Sequence, residues 1–381
     1  MADPRSALEE LRAPFQRGGD HAIHLNNAGV SPMTARAELA LADVAALMRT
    51  GTSGVPALLA RYAQARATFA RLLHASAHSI AFFQTCAVAI SQMAAGIPLR
   101  NGDEILLPDQ EYPSNAYPWH RAAERAGARV IVAPSRDDFS IDMEQFLARI
   151  GPRTRVVAFS WVQFQTGTVI DISAVVAAAR RVHAWVVVDG IQGLGAMPFD
   201  FEASGVDAIC GGTHKWLLGP LGLGFFALRH ERIAELEPLL YGAFTYGTSE
   251  DAVDPTRRPR MDAKRFEPGT PLVLSAVPSA ASLELLLEIG LDHVATEALT
   301  LRMIVEKEAR TRGYGVRPHG SITSPIITII PRTSPAALQT ELSRRGISVA
   351  VRAGGLRISP HAHNEPRHID ALFAALDELD R

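Results

Sequence analysis

The chain has 381 residues, of which 47% are hydrophobic and 20% charged, a composition typical of a folded globular protein with one large and one smaller domain. Its 38 basic and 40 acidic side chains give a formal net charge of −2, so the charge balance does not favour nucleic acid or an anionic membrane as a partner. The polar start, the lack of an apolar run of about 18 residues, and only two cysteines (Cys86 and Cys210) predict a cytoplasmic protein without a disulfide framework or a zinc site.

Apolar runs alternate with helical patterns along the first two thirds of the chain. This alternation indicates strands joined by crossover helices in a mainly parallel sheet. Residues 59–73 carry apolar side chains on one face and predict a packed helix. Seven short apolar runs predict strands at 79–83, 103–108, 128–133, 155–161, 184–189, 207–211 and 223–229. We therefore expect an α/β fold with one large, mainly parallel seven-stranded sheet.

The pattern changes after this sheet. Residues 241–271 are rich in Gly, Pro and charge, which predicts a segment too irregular for core structure that joins domains or crosses a subunit interface. A helical pattern at 279–313 follows, and then strand and helix patterns that indicate a smaller α+β unit. We place the large domain at 29–257 and form the small domain from 1–28 and 258–381.

A lysine interrupts an apolar, glycine-rich run at residues 209–229. Lys215 is unusual there, because an ammonium loses several kcal/mol of hydration on burial unless a partner compensates. Asp189 ends the strand run "AWVVVD", and the carboxyl ends of parallel strands are where ligands bind. Taken singly, Lys215 is also explained by an exposed loop and Asp189 by a helix cap.

A carboxylate and a lysine in one partly desolvated cleft fit pyridoxal 5'-phosphate. The lysine forms a Schiff base with the aldehyde, and the carboxylate keeps the pyridine nitrogen protonated. Backbone N–H groups at a helix start bind phosphate, and Thr85, Cys86 and Ala87 would open a helix of small residues. Many strands run into Ala-rich helices, so this last pattern is not specific by itself.

Eight motifs, in chain order, carry a family resemblance. They are "LNNAGVSPM", "QTCAVAI", "DQEYPSN", "WVQFQTGTVIDI", "VVVDGIQGLG", "GGTHKWLLGPLGLGF", "RFEPGTP" and "LRISPHAHN". Together they resemble the class V aminotransferases, a family of fold type I pyridoxal phosphate enzymes. The resemblance runs from about residue 24 to residue 364. It implies the large and small domains of the fold type I transferases.

The resemblance also implies cofactor contacts. Lys215 would form the Schiff base and carry the proton, and Asp189 would pair with the pyridine nitrogen. Tyr112 would stack on the cofactor ring. Gln163 and Gln192 would donate hydrogen bonds to the phenolic oxygen.

The remaining implied roles concern phosphate and substrate. His214 and Thr85 would contact the phosphate, joined by Thr270 from a second subunit, which implies a homodimer with composite active sites. Arg357 would grip the α-carboxylate of an amino-acid substrate with its two-pronged guanidinium, and Arg352 would assist. The resemblance places Asn27 among the substrate-binding residues as well.

The chain departs from part of the family. Cysteine desulfurases carry a nucleophilic cysteine before the substrate arginine, whereas the segment "VRAGGLRISP" has none, so we do not expect persulfide chemistry of that kind. Gly212 stands where several relatives have a phosphate-binding serine.

The residues leave the reaction open. Removal of the Cα proton leads to transamination, to epimerisation or, with loss of a β-substituent, to a lyase reaction. We use aminotransferase as the family label and keep C–S lyase and isopenicillin N epimerase-like activity as rivals. Two further hypotheses are an NAD-dependent dehydrogenase, although "LLGPLGLG" lacks the G-x-G-x-x-G spacing, and a non-catalytic binding protein of the same fold.

Overall fold

The computed structural model describes residues 3–17, 23–247, 254, 256–318, 320 and 322–381. The strands in these ranges are β1 Ile23–His24, β2 Ile80–Phe83, β3 Glu104–Pro108, β4 Arg129–Ala133, β5 Thr154–Ser160, β6 Trp185–Asp189, β7 Ala208–Gly212, β8 Gly224–Leu228, β9 Gly315–Val316, β10 Ile327–Ile330, β11 Ile347–Ser348, β12 Ala350–Arg352 and β13 Gly355–Ile358. The helices are α1 Pro4–Arg17, α2 Ala35–Met48, α3 Val55–Leu73, α4 Cys86–Gly96, α5 Pro113–Ala126, α6 Met143–Ala148, α7 Ile172–Arg180, α8 Phe201–Ser204, α9 His230–Ile233, α10 Val273–Ile289, α11 Leu291–Thr311, α12 Pro335–Arg344 and α13 Pro366–Leu379. Short 3-10 turns lie at Gly51–Gly54, Ala77–Ser79, Ala243–Thr245 and Ala263–Phe266.

The seven predicted strands form one sheet. Their order is β2-β8-β7-β6-β5-β3-β4, and the pairings from β7 to β4 are all parallel, while β8 is antiparallel to both β7 and β2. The expected α/β fold with a mainly parallel sheet of seven strands is confirmed.

The central strands are apolar on both faces because both faces are covered. Along β6, Trp185 and Val187 belong to one hydrophobic cluster, and Val186 and Val188 belong to another on the opposite side. Alternate side chains of a strand point to opposite faces, so the sheet lies between two apolar layers. This double burial explains why the strands are continuous apolar runs in the sequence.

The start of α4 lies directly against the sheet. Thr85 caps this helix, and its hydroxyl accepts a hydrogen bond from the backbone N–H of Val88. A Cβ on Gly224 of β8 would lie 2.3 Å from the backbone nitrogen of Cys86, so only glycine permits this approach. The small residue therefore fixes where the first turn of α4 sits.

A second, antiparallel sheet has the order β12-β13-β10-β9. It packs in a separate hydrophobic cluster with residues of α11, α12 and α13. A short parallel pairing of β1 with β11 joins the N-terminal segment to this unit. This is the smaller α+β unit that the sequence predicts.

The helical pattern predicted at 279–313 is two helices. Gly290 breaks it with a φ of 91°, a conformation that favours glycine. The first helix, α10, begins earlier than expected, and its Ala276 and Leu283 lie in the core cluster of the large sheet. The domain limits at 28/29 and 257/258 stay predictions.

The segment 241–271 is less irregular than expected. Residues 248–253 and 255 of it lie outside the described residues. Phe266, however, is buried, and its ring lies 5.3 Å from that of Phe226 on β8. The expectation that this segment contributes nothing to the core is therefore wrong, because its Gly, Pro and charge content conceals a few buried residues.

Among the described helices, no single one is both long and apolar enough to cross a bilayer. Only α10 and α11 taken together combine sufficient length and hydropathy, and they are bent by 83° relative to each other.

Candidate active site

The site is built at the carboxyl ends of three neighbouring parallel strands. Ser160 ends β5, Asp189 ends β6, and β7 leads through Thr213 to His214 and Lys215. The pairing of Ser160 with Asp189 and of Asp189 with Cys210 brings these ends together. The structure thus brings Asp189 and Lys215 to one edge of the sheet, as parallel-strand topology requires.

Asp189 is a buried carboxylate with few protein partners. It is 3% exposed and accepts hydrogen bonds from the backbone N–H of Ile191 at 2.9 Å and from the thiol of Cys86 at 3.6 Å. Burial raises the pKa of Asp189, an effect partly offset by the Ile191 hydrogen bond and the charge of Lys215. A protonated ring nitrogen would supply the charged partner that this buried carboxylate needs.

Lys215 is poised to be a neutral amine. Burial lowers its pKa to about 8, although Asp189 opposes the shift, and Arg357 lowers it further. Its Nζ lies 5.8 Å from the centre of the Tyr112 ring. A lysine with this pKa has a substantial neutral fraction near pH 8, and the neutral amine is the form that attacks a carbonyl.

Tyr112 stands at the mouth of the site. It precedes α5, its ring is 45% exposed, and it meets the ring of Phe164 edge-on at 5.2 Å. An exposed aromatic face close to Lys215 is free to cover a planar ligand. Its stacking role stays a prediction.

The proposed phosphate segment lies at the start of α4. Thr85 is exposed, Cys86 is buried with its thiol on Asp189, and Ala87 is half-buried. The first N–H groups of a helix have no partner within the helix and attract anions. His214 lies next to Lys215 in sequence, and burial together with the charge of Lys215 lowers the pKa of His214 to about 4.

Arg357 on β13 is a buried cation without a carboxylate partner among the described residues. It is 2% exposed, and it donates to the carbonyl oxygen of Phe164 at 2.6 Å and to Oδ1 of Asn26 at 3.0 Å, while its Nε has no acceptor there. Burial and the nearby charge of Arg352 lower the pKa of Arg357 to about 9. Such an arginine calls for an anion from outside the chain.

The structure corrects one substrate-binding assignment. Asn27 is fully buried and donates to the carbonyl oxygen of Ser359, and its Oδ1 accepts from Ser31 and His363. Its neighbour Asn26 contacts Arg357 instead. Asn26 forms a bridge with Ser359 and Asn27 lies in the turn that follows, and of these two side chains only that of Asn26 contacts Arg357.

Gln163 is fully buried in the loop after β5. Its Nε2 donates to Glu111 at 3.2 Å and to the carbonyl oxygen of Ser160 at 3.2 Å, and its Oε1 has no partner among the described residues. Its role toward the phenolic oxygen stays a prediction.

Both the nitrogen and the oxygen of the Gln192 amide form hydrogen bonds within the protein. Its Nε2 donates to the carbonyl oxygen of Ala28 at 3.0 Å, and its Oε1 accepts from the indole of Trp216 at 2.9 Å. One amide hydrogen stays available for a ligand. Its role toward the phenolic oxygen stays a prediction.

Two predicted residues lie at the surface of the described chain. Arg352 is exposed, and its Nη1 donates to the carbonyl oxygen of the adjacent Val351. Thr270 is also exposed and lines a cavity of about 260 Å³ together with Gln84 and Val88. Thr270 is thus available to a second subunit.

Sequence reasoning missed Glu111, which lies immediately before Tyr112. Its carboxylate accepts from the backbone N–H and hydroxyl of Ser160 at 2.7 and 2.6 Å and from Asn115 at 2.8 Å. Burial raises the pKa of Glu111 to about 7, although the Ser160 bonds oppose the shift. These contacts tie the loop that carries Tyr112 to the end of β5.

His361 was missed as well. Its Nδ1 accepts from the N–H of Ala362 at 2.8 Å, so its Nε2 donates to the carbonyl oxygen of Trp216 at 3.0 Å. The two rings stack with their centres 5.8 Å apart. This contact holds the backbone next to Lys215 against the smaller unit.

A family model for class V aminotransferases matches residues 33–366. The chain belongs to this family. Class V aminotransferases use pyridoxal phosphate, so the protein is a pyridoxal phosphate-dependent enzyme, and the resemblance and cofactor expected from the sequence are confirmed. The dehydrogenase and the non-catalytic binding protein are set aside.

Several known class V relatives align over most of the chain. A probable cysteine desulfurase of Aeropyrum pernix is 29% identical over 98% of this chain and 93% of that protein. The isopenicillin N epimerase of Streptomyces clavuligerus is 31% identical over 90% of this chain and 89% of its own length. The apo structure of a cysteine desulfurase from Thermococcus onnurineus superposes with a TM-score of 0.89 at 20% identity, covering 100% of this chain and 98% of that one, and shows the same fold.

The residues present fit pyridoxal phosphate. The buried carboxylate of Asp189, the amine of Lys215 with its lowered pKa and the first turn of α4 match a ring nitrogen, an aldehyde and a phosphate, respectively. The unpaired Nε of Arg357 matches a carboxylate. These four features lie on one chain and need no other metal or cofactor to explain them.

Proposed function

We propose that this enzyme removes the Cα proton of an amino acid whose α-carboxylate is held by Arg357. The observation that carries the proposal is the buried guanidinium of Arg357, whose partners in the described chain are neutral oxygens and whose charge reaches Lys215. A planar guanidinium and a carboxylate form two parallel hydrogen bonds, which fixes the orientation of the substrate. The anion that compensates Arg357 is therefore the substrate itself.

Lys215 holds the cofactor aldehyde and afterwards accepts the Cα proton at Nζ. Bound pyridoxal phosphate supplies the electron sink that stabilises negative charge at Cα. Asp189 keeps a proton on the ring nitrogen, and Tyr112 covers one face of the ring and excludes water from it. The pKa of Lys215, about 8, lies close to working pH, which suits a group that both attacks and carries a proton.

The active unit is a homodimer with composite sites. Thr270 is exposed on a loop and, with the start of α4, lines a cavity of about 260 Å³. Leu240, Tyr241 and Phe244 are 60%, 48% and 42% exposed, a density of apolar side chains that favours a subunit interface nearby. Thr270 of one subunit would contact the phosphate in the other, and we place this dimer in the cytoplasm.

The fate of the proton distinguishes the reactions. Return to the cofactor gives a transaminase, return to the opposite face of Cα gives an epimerase, and loss of a β-substituent gives a lyase. A desulfurase with a protein persulfide is disfavoured because the two cysteines are buried and the turn from β12 to β13 contains only Ala353 and Gly354. The names of the relatives cover both the desulfurase and the epimerase reactions.

One experiment tests the proposal and separates the three reactions. The loaded enzyme is incubated in deuterated water with a panel of L- and D-amino acids, including cystine and cysteine, and NMR follows deuterium at Cα, keto acid and released β-substituent. We expect Cα exchange with at least one amino acid and none with the Lys215→Ala variant. Amines without a carboxylate should exchange as poorly as the variant does. Exchange that is equally fast for amines would contradict a carboxylate-directed enzyme.

A further inference from the structure

A buried carboxylate outside the cleft ties together three separate elements. Glu267, after the 3-10 turn Ala263–Phe266, receives both terminal nitrogens of Arg66 on α3, each at 2.8 Å. It also accepts from the hydroxyl of Tyr62 at 3.1 Å and from the backbone N–H of Phe82 on β2 at 2.8 Å. We call Tyr62, Arg66 and Glu267 the Glu267 cluster.

The Glu267 cluster is mostly shielded from solvent, and its carboxylate is fully paired. The side chains of Arg66 and Glu267 are 4% and 12% exposed, and each carboxylate oxygen accepts two hydrogen bonds. Arg66 donates additionally to the carbonyl oxygen of Ile80 at 2.6 Å. Burial beside the carboxylate raises the pKa of Tyr62, so the phenol stays a donor. The arrangement requires the carboxylate of Glu267, because an amide at this position cannot accept four hydrogen bonds from these donors.

Only one of the elements joined by the cluster depends on it for its position. Strand β2 is already paired along its length with β8, with Phe82 opposite Phe225. The loop 267–272 has no such ladder, and its outer end carries Thr270. Its backbone hydrogen bonds are few and local: the N–H of Glu267 donates to the carbonyl oxygen of Lys264 at 3.0 Å, and the N–H of Val273 donates to that of Pro271 at 2.9 Å. A longer one, at 3.3 Å, runs from the N–H of Phe244 to the carbonyl oxygen of Pro268. The carboxylate of Glu267 is the side chain that ties the loop to α3 and β2.

The anchored loop shares an open cavity with residues that flank the phosphate segment. Gln84, Val88, Glu267 and Thr270 all line the cavity of about 260 Å³. The loop thus lies near the surface that carries the start of α4, where a second subunit would bring its own phosphate segment.

We propose that the Glu267 cluster is a positioning cluster that sets Thr270 for the phosphate group in the partner subunit's active site. The inference rests on the proposed homodimer with composite sites and adds a residue set that controls cofactor affinity from outside the cleft. Tyr62, Arg66 and Glu267 touch neither cofactor nor substrate. They act through the loop 267–272.

The first test measures cofactor affinity in matched variants. Glu267→Gln removes the charge, and Tyr62→Phe removes only the phenolic hydroxyl that donates to Glu267. The control Arg71→Met, on the same helix as Arg66, breaks the more exposed pair of Arg71 with Glu284 of α10. Equilibrium dialysis of pyridoxal phosphate against each apo dimer gives the dissociation constant, and thermal unfolding of the same samples reports stability. We expect roughly 10- to 100-fold weaker binding for Glu267→Gln, a smaller loss for Tyr62→Phe and less than about 2-fold for the control.

A purely structural cluster predicts a different pattern. Glu267→Gln would then lower the unfolding temperature while the folded dimer bound the cofactor as tightly as the parent does. That result would overturn the inference. If Glu267→Gln does not fold, Tyr62→Phe provides the same comparison, because it removes a single donor.

The second test uses hybrid dimers to locate the effect. In the first hybrid, a Lys215→Ala, Glu267→Gln chain pairs with the parent chain, so the only lysine-bearing site receives Thr270 from the altered loop. In the second, a Lys215→Ala chain pairs with a Glu267→Gln chain, so the only lysine-bearing site receives Thr270 from an intact loop. Borohydride reduction and mass spectrometry give the cofactor concentration that labels half of Lys215.

We expect weakened labelling in the first hybrid and parent-like labelling in the second. The reverse order, or equal weakening of both, would overturn the inference alone, because it would show that the cluster acts within its own subunit. A chain that stays monomeric in sedimentation at micromolar concentration would overturn the proposed homodimer and the inference together.

Discussion

Replacing Arg357 with methionine should stabilise the cofactor-free protein and abolish efficient substrate use. Methionine has a similar length and no charge, so it fills the space of the guanidinium without its desolvation cost. The two effects have opposite signs because Arg357 is unfavourable for folding and favourable for binding. This combination is expected of a functional residue and not of a structural one.

The size of the stabilisation follows from the burial of Arg357. Its pKa falls from 12.5 to about 9, and at about 1.4 kcal/mol per pKa unit this corresponds to about 5 kcal/mol of unfavourable free energy. Methionine leaves the oxygens of Phe164 and Asn26 without their donor, at a cost of about 1–3 kcal/mol. A net gain of about 2–4 kcal/mol in the free energy of unfolding is expected, together with a loss of roughly 10- to 1000-fold in kcat/KM.

Calorimetry of the apo protein and steady-state kinetics measure the two effects. The matched control is Arg352→Met, which removes an exposed arginine on the same hairpin and should leave the unfolding temperature nearly unchanged. Arg357→Lys should recover little activity, because a point charge does not reproduce the fork. A methionine variant that unfolds several degrees earlier and uses its substrate like the parent would refute the reasoning.

Three further outcomes are expected. The neutral amine of Lys215 is the form that reacts with pyridoxal phosphate, so the rate of covalent uptake by the apo protein should rise with pH to a plateau. The midpoint of this rise should lie near pH 8 and not above pH 10, and absorbance after mixing measures the rate. Asp189→Asn should move that midpoint lower, because the carboxylate is the main charge that raises the pKa of Lys215, and an unchanged midpoint would contradict their proximity. Burial lowers the pKa of His361 to about 4, while the unfolded imidazole titrates near 6.5, so the free energy of unfolding should fall by about 3 kcal/mol for this group as pH drops from 6.5 to 4. Urea unfolding at about pH 7.5 and at about pH 4 measures the difference, and His361→Gln should flatten the dependence.

The sequence predicts the large sheet well because its strands are buried on both faces. Runs such as "AWVVVD" contain more apolar and β-branched residues than a half-exposed strand needs, and their ends fall within two residues of the observed bounds. The smaller unit is harder to predict, since β9, β11 and β12 have only two or three residues each. Strands this short leave almost no periodic signal.

The prediction of one helix at 279–313 was wrong because a single residue, Gly290, breaks it. Gly290 separates α10 from α11 through its positive φ, yet apolar periodicity continues on both sides of it. A lone glycine inside a helical pattern is tolerated often enough that pattern alone does not place a break there.

At the site, the sequence located the segments better than the side chains. Asn27 and Gln163 lie in the expected motifs, but the structure uses both to hold the protein together, whereas Asn26 contacts Arg357. Glu111 gave no distinctive signal, because an acidic residue between a strand and the tyrosine of "QEYPSN" is easily read as a helix-capping group. Strand pairing, here the bridge of Asn26 to Ser359, decides which of two adjacent polar side chains faces the cleft. This pairing joins residues that are far apart in the sequence, so a local pattern does not predict it.

The charges around Lys215 connect cofactor binding with substrate binding. Arg357 and Arg352 both lower the pKa of Lys215, and Asp189 is the carboxylate that raises it, so the cleft of the described chain carries an excess of positive charge. A phosphate and an α-carboxylate would supply the missing negative charge from two directions, one at the start of α4 and the other at β13. Each bound anion lowers the electrostatic free energy of the positively charged side chains in the cleft and favours the protonated form of nearby bases. A substrate carboxylate bound at Arg357 would therefore orient Cα and, by neutralising Arg357, would also raise the proton affinity of Lys215 when Lys215 takes the proton.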